Sequence, residues 1–317
     1  MKLNNWAVAF IGLTTCLTAA AQQPAATPLA AGTGTGFIGS NACRTCHPDV
    51  WSKFYKNPHF KSIASGKEAP ENTGCESCHG PGKAHVEAHG GKATIVAFSE
   101  LQPKQVLDAC LRCHGETLSR SNIRRSSHTA NDVVCTNCHS IHKSPVPKFL
   151  LASKQVDLCY TCHASVRAQF SMPFKHRVNE GFMTCTDCHN PHGAPQPTWR
   201  MASRPRMIDQ SLANESACLK CHSEKRGPFV FEHAPVRVEG CETCHYPHGS
   251  TNSRLLRRPV VFTMCLECHN GADNFGRERD GIFTLSSAHN MADPRFQNCT
   301  TCHVRIHGSN SSALFLR

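Results

Sequence analysis

Ten times along 317 residues the chain repeats Cys-x-x-Cys-His, and no ordinary fold explains that frequency. The motifs are Cys43/Cys46/His47, Cys75/Cys78/His79, Cys110/Cys113/His114, Cys135/Cys138/His139 and Cys159/Cys162/His163. They continue with Cys185/Cys188/His189, Cys218/Cys221/His222, Cys241/Cys244/His245, Cys265/Cys268/His269 and Cys299/Cys302/His303. The chain holds 21 Cys and 21 His, and the motifs use every Cys except Cys16. Random placement of residues this abundant gives only about 0.1 matches, so chance is excluded.

Two thiols three residues apart on one helical turn can add to the two vinyl groups of a haem. The following His then sits beneath the iron as its proximal ligand. Zinc ribbons also pair Cys-x-x-Cys, and exported proteins pair Cys as disulfides. Neither needs a His after every second Cys, and disulfides leave ten such His unexplained. The motifs therefore predict ten covalently attached haem c groups.

Eleven His lie outside the motifs: His59, His85, His89, His128, His142, His176, His192, His233, His248, His289 and His307. Any one alone reads as a surface residue, but their placement is regular. His128 precedes Cys135 and His142 follows His139 by three; His176 and His192, then His233 and His248, repeat this around the next pairs. His289 precedes Cys299 and His307 follows His303 by four; His59 precedes Cys75 and His85 follows His79 by six. Each pair of motifs thus encloses one His and is followed by another, which makes five copies of one di-haem unit, near 37–95, 96–150, 151–205, 206–258 and 259–317. The ten in step with the repeat are the expected distal ligands. His89 is out of step and reads as exposed, although His85 and His89 could exchange roles.

A ring three residues from a proximal His cannot reach the opposite face of the same haem, so the trailing His must serve a neighbour. The preferred register has the enclosed His ligate the haem of the motif just after it. The trailing His would then ligate the first haem of its own pair. Ten bis-His sites leave no iron with an open position, which favours a carrier over an enzyme.

Hydrophobic residues make up only 39% of the chain and aromatics 7%, so something other than aliphatic side chains must fill the interior. Linkers of about 20 to 30 residues, rich in Pro, Gly, Ser and Asn, are too short for separate domains. The expected fold is a multihaem cytochrome c: elongated, mostly irregular loop with short α-helices and few strands. Leu101 to Leu111 and Gln210 to Leu219 are expected helices leading into motifs.

At the N-terminus, Lys2, the apolar stretch Trp6 to Thr18 and Ala19-Ala20-Ala21 read as a cleaved secretory signal over 1–21. The apolar stretch is shorter than the roughly 20 residues of a spanning helix. Cys16 is a conceivable lipidation site, but Thr15 before it is bulky, and Cys16 is read as leaving with the signal. Residues 22–36 form a leader of Ala, Gln, Pro, Thr and Gly, and order begins near Phe37. The cytochrome domain is 37–317.

The formal charge of +11 falls to +10 without Lys2. Ten haems would add about −20 from propionates and about +10 from ferric centres, leaving a net charge near zero. The runs Arg124-Arg125 and Arg254 to Arg258 are accordingly read as propionate partners and not as a nucleic-acid surface.

Several local matches carry a resemblance: Cys75-Glu-Ser-Cys-His79-Gly-Pro with His85, Cys185-Thr-Asp-Cys-His189-Asn-Pro-His192-Gly, and Glu224-Lys-Arg-Gly-Pro228 leading to Glu232-His233-Ala-Pro-Val236. Cys241-Glu-Thr-Cys-His245-Tyr-Pro-His248-Gly and His303 to Asn310 add to them. Over about residues 40 to 310 the chain resembles the periplasmic decahaem cytochromes of the MtrA/DmsE type. The leader departs from that pattern.

The resemblance implies a molecular wire sheathed by an outer-membrane β-barrel porin. It implies a periplasmic location at the outer membrane, with periplasmic and cell-surface redox proteins as partners and metals or minerals as outlets. It also matches the ten Cys-Cys-His sets to haem attachment and the ten in-step His to distal ligation. A subunit of an extracellular cytochrome filament is the second reading and a multihaem reductase the third. Intact-mass spectrometry of the mature protein should show ten haem additions, and a smaller number would refute the count.

Overall fold

The computed structural model describes residues 36–116, 120, 122–146, 148–193, 217–269 and 293–316. The expected signal peptide, Cys16 and nearly all of the leader lie outside these residues, as do Gln210 to Ser216 of one expected helix and His289.

Every described motif folds as a single helical turn, because the His amide reaches back four residues to the carbonyl of the first Cys. The bond is 2.9 Å for His47 to Cys43, 2.8 Å for His139 to Cys135 and 2.9 Å for His269 to Cys265. Four-residue return is α-helical geometry, and it puts both thiols on one face. Between these turns the described chain is short helices, 3-10 turns and loop, with isolated β-bridges in place of a sheet.

The longest described helix is Pro103–His114, three residues later at its C-terminal end than expected because it runs through the third motif. Pro103 starts it, and Gln102 and Gln105 close a capping box in which the Gln102 amide donates to Gln105 Oε1 at 2.8 Å. Its inner face carries Val106 and Leu107, which pack with Ile123 and Val134 against Phe98, Leu101 and Leu111.

This cluster is the largest piece of an aliphatic core that is otherwise scattered. Among the described residues only ten hydrophobic side chains are buried, while Phe149, Phe182 and Val230 are about 70% exposed at 69%, 74% and 71%. At the N-terminal end a buried carboxylate takes the place of packing. Glu76 accepts from the amides of Ile38, Gly39 and Gly82 at 3.0, 2.8 and 2.7 Å, tying the start of the domain to the segment that carries His85.

Consecutive units are joined by a recurring crossing. The residue two before an enclosed His pairs with the residue two after the trailing His of the next unit: Phe174 with Ser250, and Phe231 with Ser309. Each pair exchanges two backbone hydrogen bonds of 2.8 to 3.1 Å. The Gly of the trailing His-Gly step makes this approach possible. A Cβ on Gly249 would sit 2.0 Å from the Gln169 carbonyl oxygen, and one on Gly308 would sit 2.1 Å from the Phe229 ring, where φ is also +144°. Gly249→Ala should therefore cost about 1–3 kcal/mol of stability through backbone displacement. A lower guanidinium midpoint checks this, and an unchanged midpoint would show that the units do not meet there.

Candidate functional site

The helical turns present their His rings to partners from other parts of the chain, and the partners are the histidines outside the motifs. Within the first unit, His47 faces His85 with ring centroids 6.3 Å apart. Between units 1 and 2, His114 faces His59 at 5.8 Å and His79 faces His142 at 5.8 Å. Between units 2 and 3, His163 faces His128 at 6.2 Å and His139 faces His192 at 6.1 Å. Between units 3 and 4, His222 faces His176 at 6.4 Å and His189 faces His248 at 6.0 Å. Between units 4 and 5, His269 faces His233 and His245 faces His307, each at 6.3 Å.

These separations pass a simple fit test. A metal–imidazole bond of about 2.0 Å, with each ring centre about 1.1 Å behind its nitrogen, places two axial ligands of one iron with centroids about 6 Å apart. Uncoordinated stacked rings sit closer. In every pair, one ring belongs to a Cys-x-x-Cys-His turn. The residues present thus fit haem c in nine places among the described residues.

The pairing corrects the preferred register at every described position except His85, which does face the first motif of its own pair. Each described enclosed His, His59 included, faces the first motif of the following unit, and the trailing His142, His192, His248 and His307 face the second motif of the preceding unit. The crossings explain this: the trailing segment lies against the preceding unit, so its His is delivered there and not to its own pair. His89 stands apart, exposed and in a left-handed conformation at φ 55° just past the helix Lys83–Glu87 that carries His85.

The second nitrogen of many rings is held by backbone. His79, His139, His245 and His303 Nδ1 hydrogen bond the carbonyls of Val96, Phe149, Arg254 and Leu314 at 2.7, 2.6, 2.8 and 2.5 Å. Phe149, Arg254 and Phe315 take φ of 65°, 57° and 58°, a strained conformation that turns the chain back to the ring. Among the opposing histidines, His128 and His176 bond the carbonyls of Pro191 and Pro247 at 2.9 and 2.6 Å, and His248 bonds Gln169 Oε1 at 2.9 Å. Such bonds fix the tautomer, leave Nε2 for a metal and raise ligand basicity. Nothing in the sequence marks these acceptors, since every residue has a carbonyl. The Pro-His-Gly repeats were the nearest signal.

Burial lowers the proton affinity of His59, His142, His233 and His248, and it carries His307 down to about 4. These rings are neutral at neutral pH, the form that binds metal.

The thiols run in one order along the chain. Within a unit the first Cys of the two motifs hydrogen bond, Cys43 with Cys75, Cys110 with Cys135, Cys159 with Cys185 and Cys265 with Cys299. Between units the second Cys of facing motifs adjoin. Burial raises Cys78, Cys138, Cys188 and Cys244, and the neighbouring Cys113, Cys162, Cys221 and Cys268 add to the rise.

A cavity of about 3860 Å³ follows this order from Pro58 and His59 to Ile306 and His307. A site for one drug-sized ligand is about 300–1,000 Å³, so this volume suits several large groups in series. The Cys43/Cys46/His47 turn lies outside it, with Cys46 and His47 exposed.

In the last motif Cys299, Cys302 and His303 also lie outside the cavity, while Cys299 adjoins Cys265. Cys302 is exposed, as are Cys46, Cys113, Cys162, Cys221 and Cys268.

Of the basic runs, Arg254 and Arg257 line the cavity. Arg124 instead pairs with Asp108 at 2.6 Å, and Arg258 pairs with Glu267.

Comparison with known proteins agrees with this chemistry. The family described as "Doubled CXXCH motif" matches residues 128–168 and 233–274, and "Cytochrome c7 and related cytochrome c" matches residues 168–246. The chain is 34% identical over 285 residues to the multihaem cytochrome MtrA of Shewanella baltica (strain OS185), covering 86% of this chain and 79% of that one. Among the described residues no helix is long and apolar enough to cross a membrane. The chain is a multihaem c-type cytochrome, an electron-transfer protein with covalently bound haem c that belongs to the MtrA family.

Proposed function

We propose that the chain carries ten bis-His haem c groups and conducts electrons along them as a single wire. The observation that carries this reading is the set of nine facing His pairs, each 5.8 to 6.4 Å apart beside a Cys-x-x-Cys turn. The ten motifs supply attachment and proximal ligands. The partners named above supply nine distal ligands, and His289, the remaining in-step histidine, serves His303 at the last site. Each unit from 37–95 to 259–317 contributes two haems, the domain beginning after a signal over 1–21 and a leader over 22–36.

The bound haem supplies a one-electron couple, and the protein's part is to hold each iron on both faces and to order the sites. Two histidines would hold each haem iron and leave no site for substrate, so the chain acts as a carrier and not as an enzyme. The exposed turns at the two ends of the cavity, marked by Cys46 and Cys302, are the places where electrons enter and leave.

The chain works in the periplasm at the outer membrane, inside a β-barrel porin, between periplasmic and cell-surface redox proteins. The relative from Shewanella baltica supports this placement. Purification from outer membranes should bring down a large β-barrel protein in fixed ratio, read by mass spectrometry; a chain recovered only as filaments in spent medium would overturn the porin assignment.

Ligation across units has its own test in spin quantitation. His142→Ala should convert one low-spin haem to high-spin, and combining it with His79→Met should disturb no second haem, because both serve one iron. Combining it with His114→Met should disturb two. The reverse pattern would restore ligation within the unit. His89→Ala should leave all ten haems low-spin.

A further inference from the structure

Where one unit meets the next, a cation reaches across. In the third motif, Arg112 precedes Cys113, and its guanidinium donates to the carbonyl of Ser77, which precedes Cys78 in the unit before. In the seventh motif, Lys220 precedes Cys221, and its ammonium donates at 3.0 Å to the carbonyl of Asp187, which precedes Cys188. Between units 4 and 5 the same carbonyl position, Thr243 before Cys244, receives Arg257 at 2.8 Å. All three cations line the cavity that follows the motifs. Burial raises the Cys78 and Cys188 thiols, and the charges of Arg112 and Lys220 oppose that rise.

We propose that Arg112 and Lys220 are positioning residues that set the redox landscape of the wire: each clamps the end of one unit to the start of the next and holds a positive charge between the two haems attached there. The proposal rests on the haem assignment above. A reduced haem carries one positive charge fewer than an oxidised one, so a fixed cation beside it favours reduction and raises its potential. At junction 3/4 the carboxylate of Asp187, held by the Thr184 amide at 2.7 Å, offsets part of the effect, so Arg112 is the stronger case.

Junction 2/3 is built differently. There Asn137 precedes Cys138, and the position equivalent to Arg112 and Lys220 is the neutral Thr161, whose hydroxyl turns back to the Leu158 carbonyl at 2.7 Å. The wire is thus uneven by construction, with cation-bearing junctions on either side of one that carries only neutral residues at these two positions.

The test is spectropotentiometric titration of the full haem-loaded protein. Arg112→Met should move the midpoints of two of the ten haems downward, and Arg112→Lys should return most of that shift. Thr161→Lys should move two midpoints upward. A wild-type titration curve for Arg112→Met overturns the proposal, as does an Arg112→Lys shift as large as that of Arg112→Met, which would make the effect one of packing and not of charge. If Arg112→Met fails to assemble, Thr161→Lys decides alone, and no upward shift there overturns the proposal. Intact mass on the same samples separates the two levels: a wild-type chain with fewer than ten haems removes the haem assignment itself, whereas ten haems with unmoved potentials removes only the role of the cations.

Discussion

Two imidazole rings with centroids about 6 Å apart, one from a Cys-x-x-Cys-His turn and one from elsewhere in the chain, are the contact around which this protein is arranged. In eight of the nine described pairs the rings come from consecutive units, so forming a pair fixes one unit against the next. The exchange is reciprocal: His59 goes forward to His114 while His142 comes back to His79. A chain built this way behaves like a repeat protein, in which each unit needs its neighbours and order propagates along one dimension. The first unit closes on itself through His47 and His85, as a terminal repeat must.

Such a scheme relieves the chain of the need for an aliphatic core. Burial of apolar side chains normally supplies most of the driving force for folding, yet the one sizeable cluster here is built on Val106, Leu107, Ile123 and Val134. What surrounds the rings instead is polar backbone aimed with care. Phe149 and Arg254 adopt strained left-handed conformations whose carbonyls meet His139 and His245, and Glu76 gathers three amides at the N-terminal end. Folding of a chain like this is expected to depend on attachment of the prosthetic groups, as small metal proteins depend on their metal.

The same economy bears on electron transfer. Bonds from Nδ1 to backbone carbonyls strengthen the histidines as donors to iron and hold potentials low, while cations placed at the unit junctions work in the opposite direction. Cysteine neighbours alternate between contacts inside a unit and contacts across a junction, which gives the sites a single linear order. Conduction needs that order more than it needs uniform potentials.

How much of this was legible beforehand differs by level. The number of motifs, the di-haem repeat and the family are properties of local spacing: a helical turn brings two thiols and a ring together whatever surrounds it, so ten short strings of sequence sufficed. The helix ahead of the third motif was legible for the same reason, through Pro103 and the Gln102–Gln105 box. The partner of each ring was not. Reach alone allowed His142 to serve His114 or His79, and only the folding of its segment onto the preceding unit, where the Asn57 side-chain amide donates to the Ile141 carbonyl, decided between them. Likewise Arg124 and Arg258 read as propionate partners in the sequence, but tertiary structure gave them Asp108 and Glu267 and put Arg112 and Lys220 at the junctions. Attachment is local chemistry and therefore written in the sequence; the facing of the rings, and the bonds behind His128, His176 and His248, join residues some 35 to 80 positions apart, and those are settled only when the chain has folded.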